Sequence, residues 1–99
     1  KSIPPQDLAI PVITIQELHV GESSKVKRKE EFFISLISKL TILPYDHETA
    51  KIAGEIMRDI KPHVKFADAA IAATAILNKA KLLTLNKKDF QGIKSLKLI

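Results

Sequence analysis

Ala67-Asp68-Ala69-Ala70-Ile71-Ala72-Ala73-Thr74-Ala75-Ile76 is the stretch whose reading decides the fold. Six of the residues from 67 to 75 are alanine. Alanine is the strongest helix former, and a helix walled by methyl groups lets a neighbouring element approach closely. The composition predicts a helix from Phe66 to Ala80, buried against a sheet. Asp68 falls in its first turn. From Phe66 to Leu77 only Asp68 and Thr74 are polar, and a solvated face would carry more polar neighbours. The structural alternative is a carboxylate placed to suit a helix N-terminus, which needs no function.

The chain on either side of this helix alternates. Toward the C-terminus, Lys81 to Asn86 reads as a strand, Lys87-Lys88-Asp89-Phe90 as a turn or short helical turn, and Leu96 to Ile99 as a final short strand. Toward the N-terminus, Lys61-Pro62-His63 breaks a helix that Asp46 caps, with Ile52, Ile56 and Ile60 on one stripe and Ala53 and Met57 beside it. Thr41 to Tyr45 reads as a short strand ended by proline. A helix over 25–40, capped by Ser23 or Ser24, repeats Phe32, Phe33, Leu36, Ile37 and Leu40 at helical spacing. Leu8 to Ile13 is of strand length, with Pro11 suited to an end or an edge. Thr14-Ile15-Gln16-Glu17 then fits a capping box opening a helix that Gly21 stops. Residues 1–7, with two prolines, read as an extended lead-in. This order predicts one domain over 1–99, an α/β layered fold with a mainly parallel sheet and helices on both faces. In such sheets, sites form beyond the C-terminal ends of strands.

Composition narrows the chemistry. The 99 residues suit one small domain with an aliphatic core, since aromatic residues make up only 5%. There is no cysteine, which excludes disulfides and thiolate metal sites. No apolar run is long enough to span a membrane, and cytoplasm is the expected compartment. The net charge of +5 favours an anionic partner such as nucleic acid. Nearly all the cations are lysine, Arg28 and Arg58 being the exceptions. Contact with a phosphate backbone therefore suits this surface better than bidentate reading of bases.

Three polar clusters fall where strands end or helices begin: Glu17, Asp68, and the corner Asn86/Asp89. Each has a bland reading taken alone, as a capping-box Glu, a helix-end carboxylate and a polar turn. Together they share the edge where a parallel sheet gathers its sites. Carboxylates gathered there repel one another unless a cation sits among them. All-oxygen ligands favour Mg²⁺ or Mn²⁺ over Zn²⁺. With a basic surface added, metal-assisted phosphodiester cleavage is the reaction class that fits. The histidines His19, His47 and His63 have no metal-ligand or triad spacing, and no phosphate-cradling glycine loop is present.

VITIQELHVG (12–21), ADAAIAATAI (67–76) and LLTLNKKDF (82–90) resemble, in this order, three motifs of PIN-domain ribonucleases of the VapC toxin type. ILPYD (42–46) occupies the place of that family's Leu-x-Phe/Tyr-Asp segment. The resemblance covers the chain from about Leu8 onward. It implies a Mg²⁺- or Mn²⁺-dependent endoribonuclease that is the toxin of a toxin–antitoxin pair, with RNA as substrate, an antitoxin as partner and a homodimer as the expected assembly. Glu17 and Asp68 match metal-site acids. Asn86 and Asp89 match the polar pair completing the site, Asp89 being the expected carboxylate. Thr84 matches a residue lining the pocket. Lys87 and Lys88 beside the site, with Arg28 and its lysine neighbours extending the track, would attract RNA; a solvated helix face is the other reading of 25–29.

One family element has no match. PIN domains open with a hydrophobic strand, central in their sheet, that ends in a metal-binding Asp. Asp7 does not fill this place, having no hydrophobic strand ahead of it. The expectation is that roughly 30 residues carrying that strand belong to the full protein. A second reading stays open, in which the domain lacks that Asp and serves to bind an antitoxin or itself. A third is an unrelated α/β domain in which the motifs coincide by chance.

Overall fold

Pro11 sets where the first helix begins. Its ring fixes φ and removes a backbone donor, so strand pairing stops and a helix can start one residue later. The structure is a computed structural model that describes residues 8–21, 27–84 and 86–99. Within it the chain forms two compact units, residues 1–44 and 45–99.

In the first unit, β1 (Ala9–Pro11) pairs in parallel with β2 (Thr41–Leu43), Ala9 opposite Thr41 and Pro11 opposite Leu43. Pro11, extended at φ −66° and ψ 143°, is the N-cap of α1 (Val12–Val20). The expected capping box from Thr14 to Glu17 is therefore not formed. Thr14 lies inside the helix, the first turn carries no acid, and Glu17 sits exposed in the second turn. Strand and helix meet at Pro11, ahead of the expected strand end at Ile13. α2 (Lys27–Ile37) follows. The caps expected at Ser23 or Ser24 lie outside the described residues. Neither helix contains a buried residue. Phe32, Ile34 and Leu36 of α2 are exposed; Phe32 and Leu36, four residues apart, share one face of the helix.

The second unit holds the core. Asp46 caps α3 (His47–Asp59): its Oδ1 accepts from the Thr49 backbone N–H at 3.0 Å and from the Thr49 hydroxyl at 2.8 Å. α3 buries Thr49, Ala53 and Ile56. α4 (Phe66–Leu77) buries Ala69, Ala70 and the run Ala72 to Ala75. Among the described residues its principal neighbour is α3, and it also packs against Leu82 and Leu98 of the short strands that follow. Facing alanines remove the side-chain volume that would hold two helices apart. α4 also ends three residues before the expected Ala80. Asn78 Nδ2 donates to the Thr74 carbonyl at 2.7 Å, and Lys79 turns left-handed at φ 54°. This is the geometry of a helix stop, made without the glycine that would have announced it.

β3 (Lys81–Leu82) pairs in parallel with β4 (Lys97–Leu98). The strand expected over 81–86 is thus shorter. The Asn86 N–H donates to the Thr84 hydroxyl at 3.1 Å, bending the chain, and a 3-10 turn runs over Lys87–Phe90. Gly92 at φ 87° then turns the chain so that Ile93 is buried. Val64, Phe90 and Ile93 join Ala53, Ile56, Ala69, Ala72 and Ala73 in one cluster.

The bonds from Thr49 hold the Asp46 carboxyl below its ordinary range. A depressed carboxylate stabilises the fold above its unfolded value and loses that contribution as pH falls through the folded value. Asp46→Ala should lower the melting temperature at pH 7 by roughly 4–8 °C, the usual effect of losing a helix cap. The gap between variant and wild type should close as pH falls below 3.8, the ordinary aspartate value; circular-dichroism melts across pH check both.

Candidate active site

Three segments of the second unit converge on a cavity of about 230 Å³, lined by Pro62, His63, Val64, Lys65, Asp68, Lys88, Asp89 and Gln91. Each segment is anchored by a core residue next to a polar one. Val64 is buried between His63 and Lys65, Ala69 follows Asp68, and Phe90 follows Asp89. Burying the anchor fixes the direction of its neighbour, so hydrophobic packing carries polar side chains to one place.

Asp68 and Asp89 therefore share a wall. Asp68 is half-buried in the first turn of α4, and its carboxyl is pushed above the ordinary range. Burial is the larger cause, the negative charge of Asp89 adds to it, and Lys65 pulls the other way. A carboxylate serving only the helix end would be shifted down. The direction observed fits an acid held in a partly dry place beside a second acid.

Asn86 and Thr84 line a second, more open cavity of about 590 Å³ with Lys87, Lys88 and Asp89. Lys88 and Asp89 thus border both. Thr84 is half-buried and its hydroxyl shapes the turn, while Asn86, Lys87, Lys88 and Asp89 are exposed. Asn86 does lie in a polar turn, as its bland reading has it, and its side chain makes no cap hydrogen bond. Glu17 and Arg28 belong to the first unit, both exposed, on α1 and α2. With no capping box, the structural alternative for Glu17 loses its footing.

Sequence reasoning missed His63, Lys65 and Gln91. The polar–apolar–polar alternation of His63, Val64 and Lys65 just ahead of a helix was the available signal. Among the described residues, no group of three or more His, Asp or Glu is gathered to hold a metal. Two carboxylates still fit Mg²⁺ or Mn²⁺. Mg²⁺ is commonly held by one or two carboxylates, completing its shell with water and substrate phosphate. The raised Asp68 carboxyl, driven partly by Asp89, marks a place where a cation would relieve the repulsion.

A PIN-domain family model matches residues 2–95. The chain belongs to the PIN-domain family and, within it, is of the VapC type. It is 35% identical over 97 residues to ribonuclease VapC1 of Rickettsia felis, a match covering 88% of this chain and 71% of that protein. A chain of a toxin–antitoxin complex from Klebsiella pneumoniae superposes with a TM-score of 0.78 at 34% identity, covering 95% of this chain and 74% of that one. A chain of VapBC2 from Rickettsia felis, solved bound to a DNA fragment from its promoter, gives 0.81 at 28% identity, covering 92% and 72%. The expected α/β PIN fold stands on these matches and on strands that pair in parallel. No helix among the described residues is long and apolar enough to cross a membrane.

If Asp89 raises the Asp68 carboxyl through its charge, Asp89→Asn should lower the Asp68 titration midpoint toward the ordinary range, burial keeping it above. Carboxyl-resolved NMR titration without added metal checks this; an unmoved Asp68 would separate the two acids.

Proposed function

We propose that this chain is the ribonuclease toxin of a toxin–antitoxin pair, cleaving RNA phosphodiester bonds with Mg²⁺ or Mn²⁺. The observation that carries the reading is the acid pair Asp68/Asp89, the first half-buried and the second exposed, rimmed by lysine in a chain of the VapC type. When bound, the metal would activate a water and offset charge on the phosphate. Asp68 and Asp89 would hold it through hard oxygen ligands. Glu17 is the further acid that the motif nominates, and its role rests on that motif. Asn86 would orient the attacked group or its water from the adjoining cavity, with Thr84 setting the turn. Lys65, Lys87 and Lys88 would draw the RNA backbone toward the acids. Arg28 on α2 remains the nominated outlying contact.

The antitoxin follows from two supports. Two solved relatives are a toxin–antitoxin complex and a VapBC assembly, and α2 carries Phe32, Ile34 and Leu36 exposed. A homodimer is part of the same proposal.

Asp68→Asn should abolish Mg²⁺-dependent cleavage of single-stranded RNA. Changing groups that merely orient a metal ligand costs about 10–100-fold, so loss of a ligand should exceed about 100-fold. Chelating the divalent ion should have the same effect in the wild type. Cleavage that persists in Asp68→Asn would refute Asp68 as a metal ligand.

A further inference from the structure

Between α3 and α4 the chain runs Lys61-Pro62-His63-Val64-Lys65-Phe66, and nothing in the acid-pair reading uses most of it. We infer that residues 61–66 form a ledge that seats single-stranded RNA beside the scissile phosphate, with phosphates on Lys61, His63 and Lys65 and an unpaired base on Phe66. The inference rests on the ribonuclease reading and adds to it where the substrate lies and that its base must be unpaired.

Val64 is buried, while His63 and Lys65 on either side are exposed and line the acid cavity. Lys61 Nζ lies 3.4 Å from His63 Nε2. Both side chains can donate to a phosphate oxygen, His63 through whichever ring nitrogen carries its proton. Lys88 borders the same cavity from the 3-10 turn. These groups are donors of positive or neutral charge set around two carboxylates, which matches a polyanion that arrives together with a divalent cation.

Phe66 follows directly. It is 63% exposed, whereas Phe90, on the other wall-forming segment, is 5% exposed. A lone exposed apolar residue is ordinary. Phe66 differs in its place: it directly follows Lys65, which lines the cavity, and comes two residues before Asp68. An exposed ring one residue from a cavity-lining lysine is suited to holding a single strand, with lysines tracking phosphates and the ring taking a base. A paired base would not offer its face, so duplex RNA is disfavoured.

The test measures binding of a short fluorescein-labelled single-stranded RNA by anisotropy, in Mg²⁺, across 50–200 mM salt. It uses full-length Asp68→Asn protein, so that cleavage does not interfere. Adding Lys61→Ala with Lys65→Ala should flatten the log K against log salt slope by about 1.4, from about 0.7 per lost phosphate contact on a single strand. Adding Phe66→Ala should weaken binding roughly 5- to 150-fold with the slope unchanged, and Phe66→Tyr should restore it. An abasic residue at one position should weaken binding to the parent and not to Phe66→Ala. Unchanged slope and affinity in all variants of a parent that binds RNA would overturn the ledge alone. So would a Phe66→Ala variant that binds RNA normally but no longer co-purifies with its antitoxin, since Phe66 would then be a protein contact. A parent that binds no RNA would overturn both the ledge and the ribonuclease reading, whereas RNA cleavage surviving in Asp68→Asn would strike only the metal site.

Discussion

Two carboxylates are held at one cavity against their mutual repulsion, and the rest of the second unit supplies what that arrangement needs. Packing does the holding. Ala69 and Phe90 belong to one buried cluster, and each sits next to the acid it positions. If the cluster loosened, Asp68 and Asp89 would part into water and the Asp68 carboxyl would return to its ordinary range. The shift on Asp68 therefore reports packing and charge together.

The alanines of α4 make this economical in space. With Ala69, Ala72 and Ala73 fully buried, α3 and α4 lie close, and the N-terminal turn of α4 stays within reach of the 3-10 turn. Larger side chains there would widen the spacing and displace Asp68 before touching the chemistry. The same core fixes Val64, and through it the exposed His63 and Lys65. One small cluster thus sets both the acids and the cations around them.

Much of this was legible in the residues, and the reasons differ by element. The Asp46 cap, the Ile52–Ile56–Ile60 stripe and the alanine helix are local patterns, and local patterns show in sequence. Glu17 was misplaced within its helix because a Thr-x-x-Glu box and a proline N-cap compete, and the proline fixes its geometry covalently. The shortened strand at 81–82 and the early stop of α4 depend on side-chain bonds from Thr84 and Asn78, which periodicity does not register. Lys65 and His63 left only a faint sign, their alternation with Val64, because it is the tertiary packing of Val64 that brings them to the acids. Asp68 and Asp89 were nominated by motif and charge, and the fold brings both to one cavity.

The central claim is that Asp68 and Asp89 act as one cation site. The most direct measurement is the anomalous difference density of a crystal of the full protein soaked in Mn²⁺. The account predicts a peak in the cavity bounded by His63, Lys65, Lys88 and Gln91, within bonding distance of carboxylate oxygens from both acids. A Mn²⁺ peak bound elsewhere, or touching one of the two carboxylates and leaving the other unligated, would contradict it.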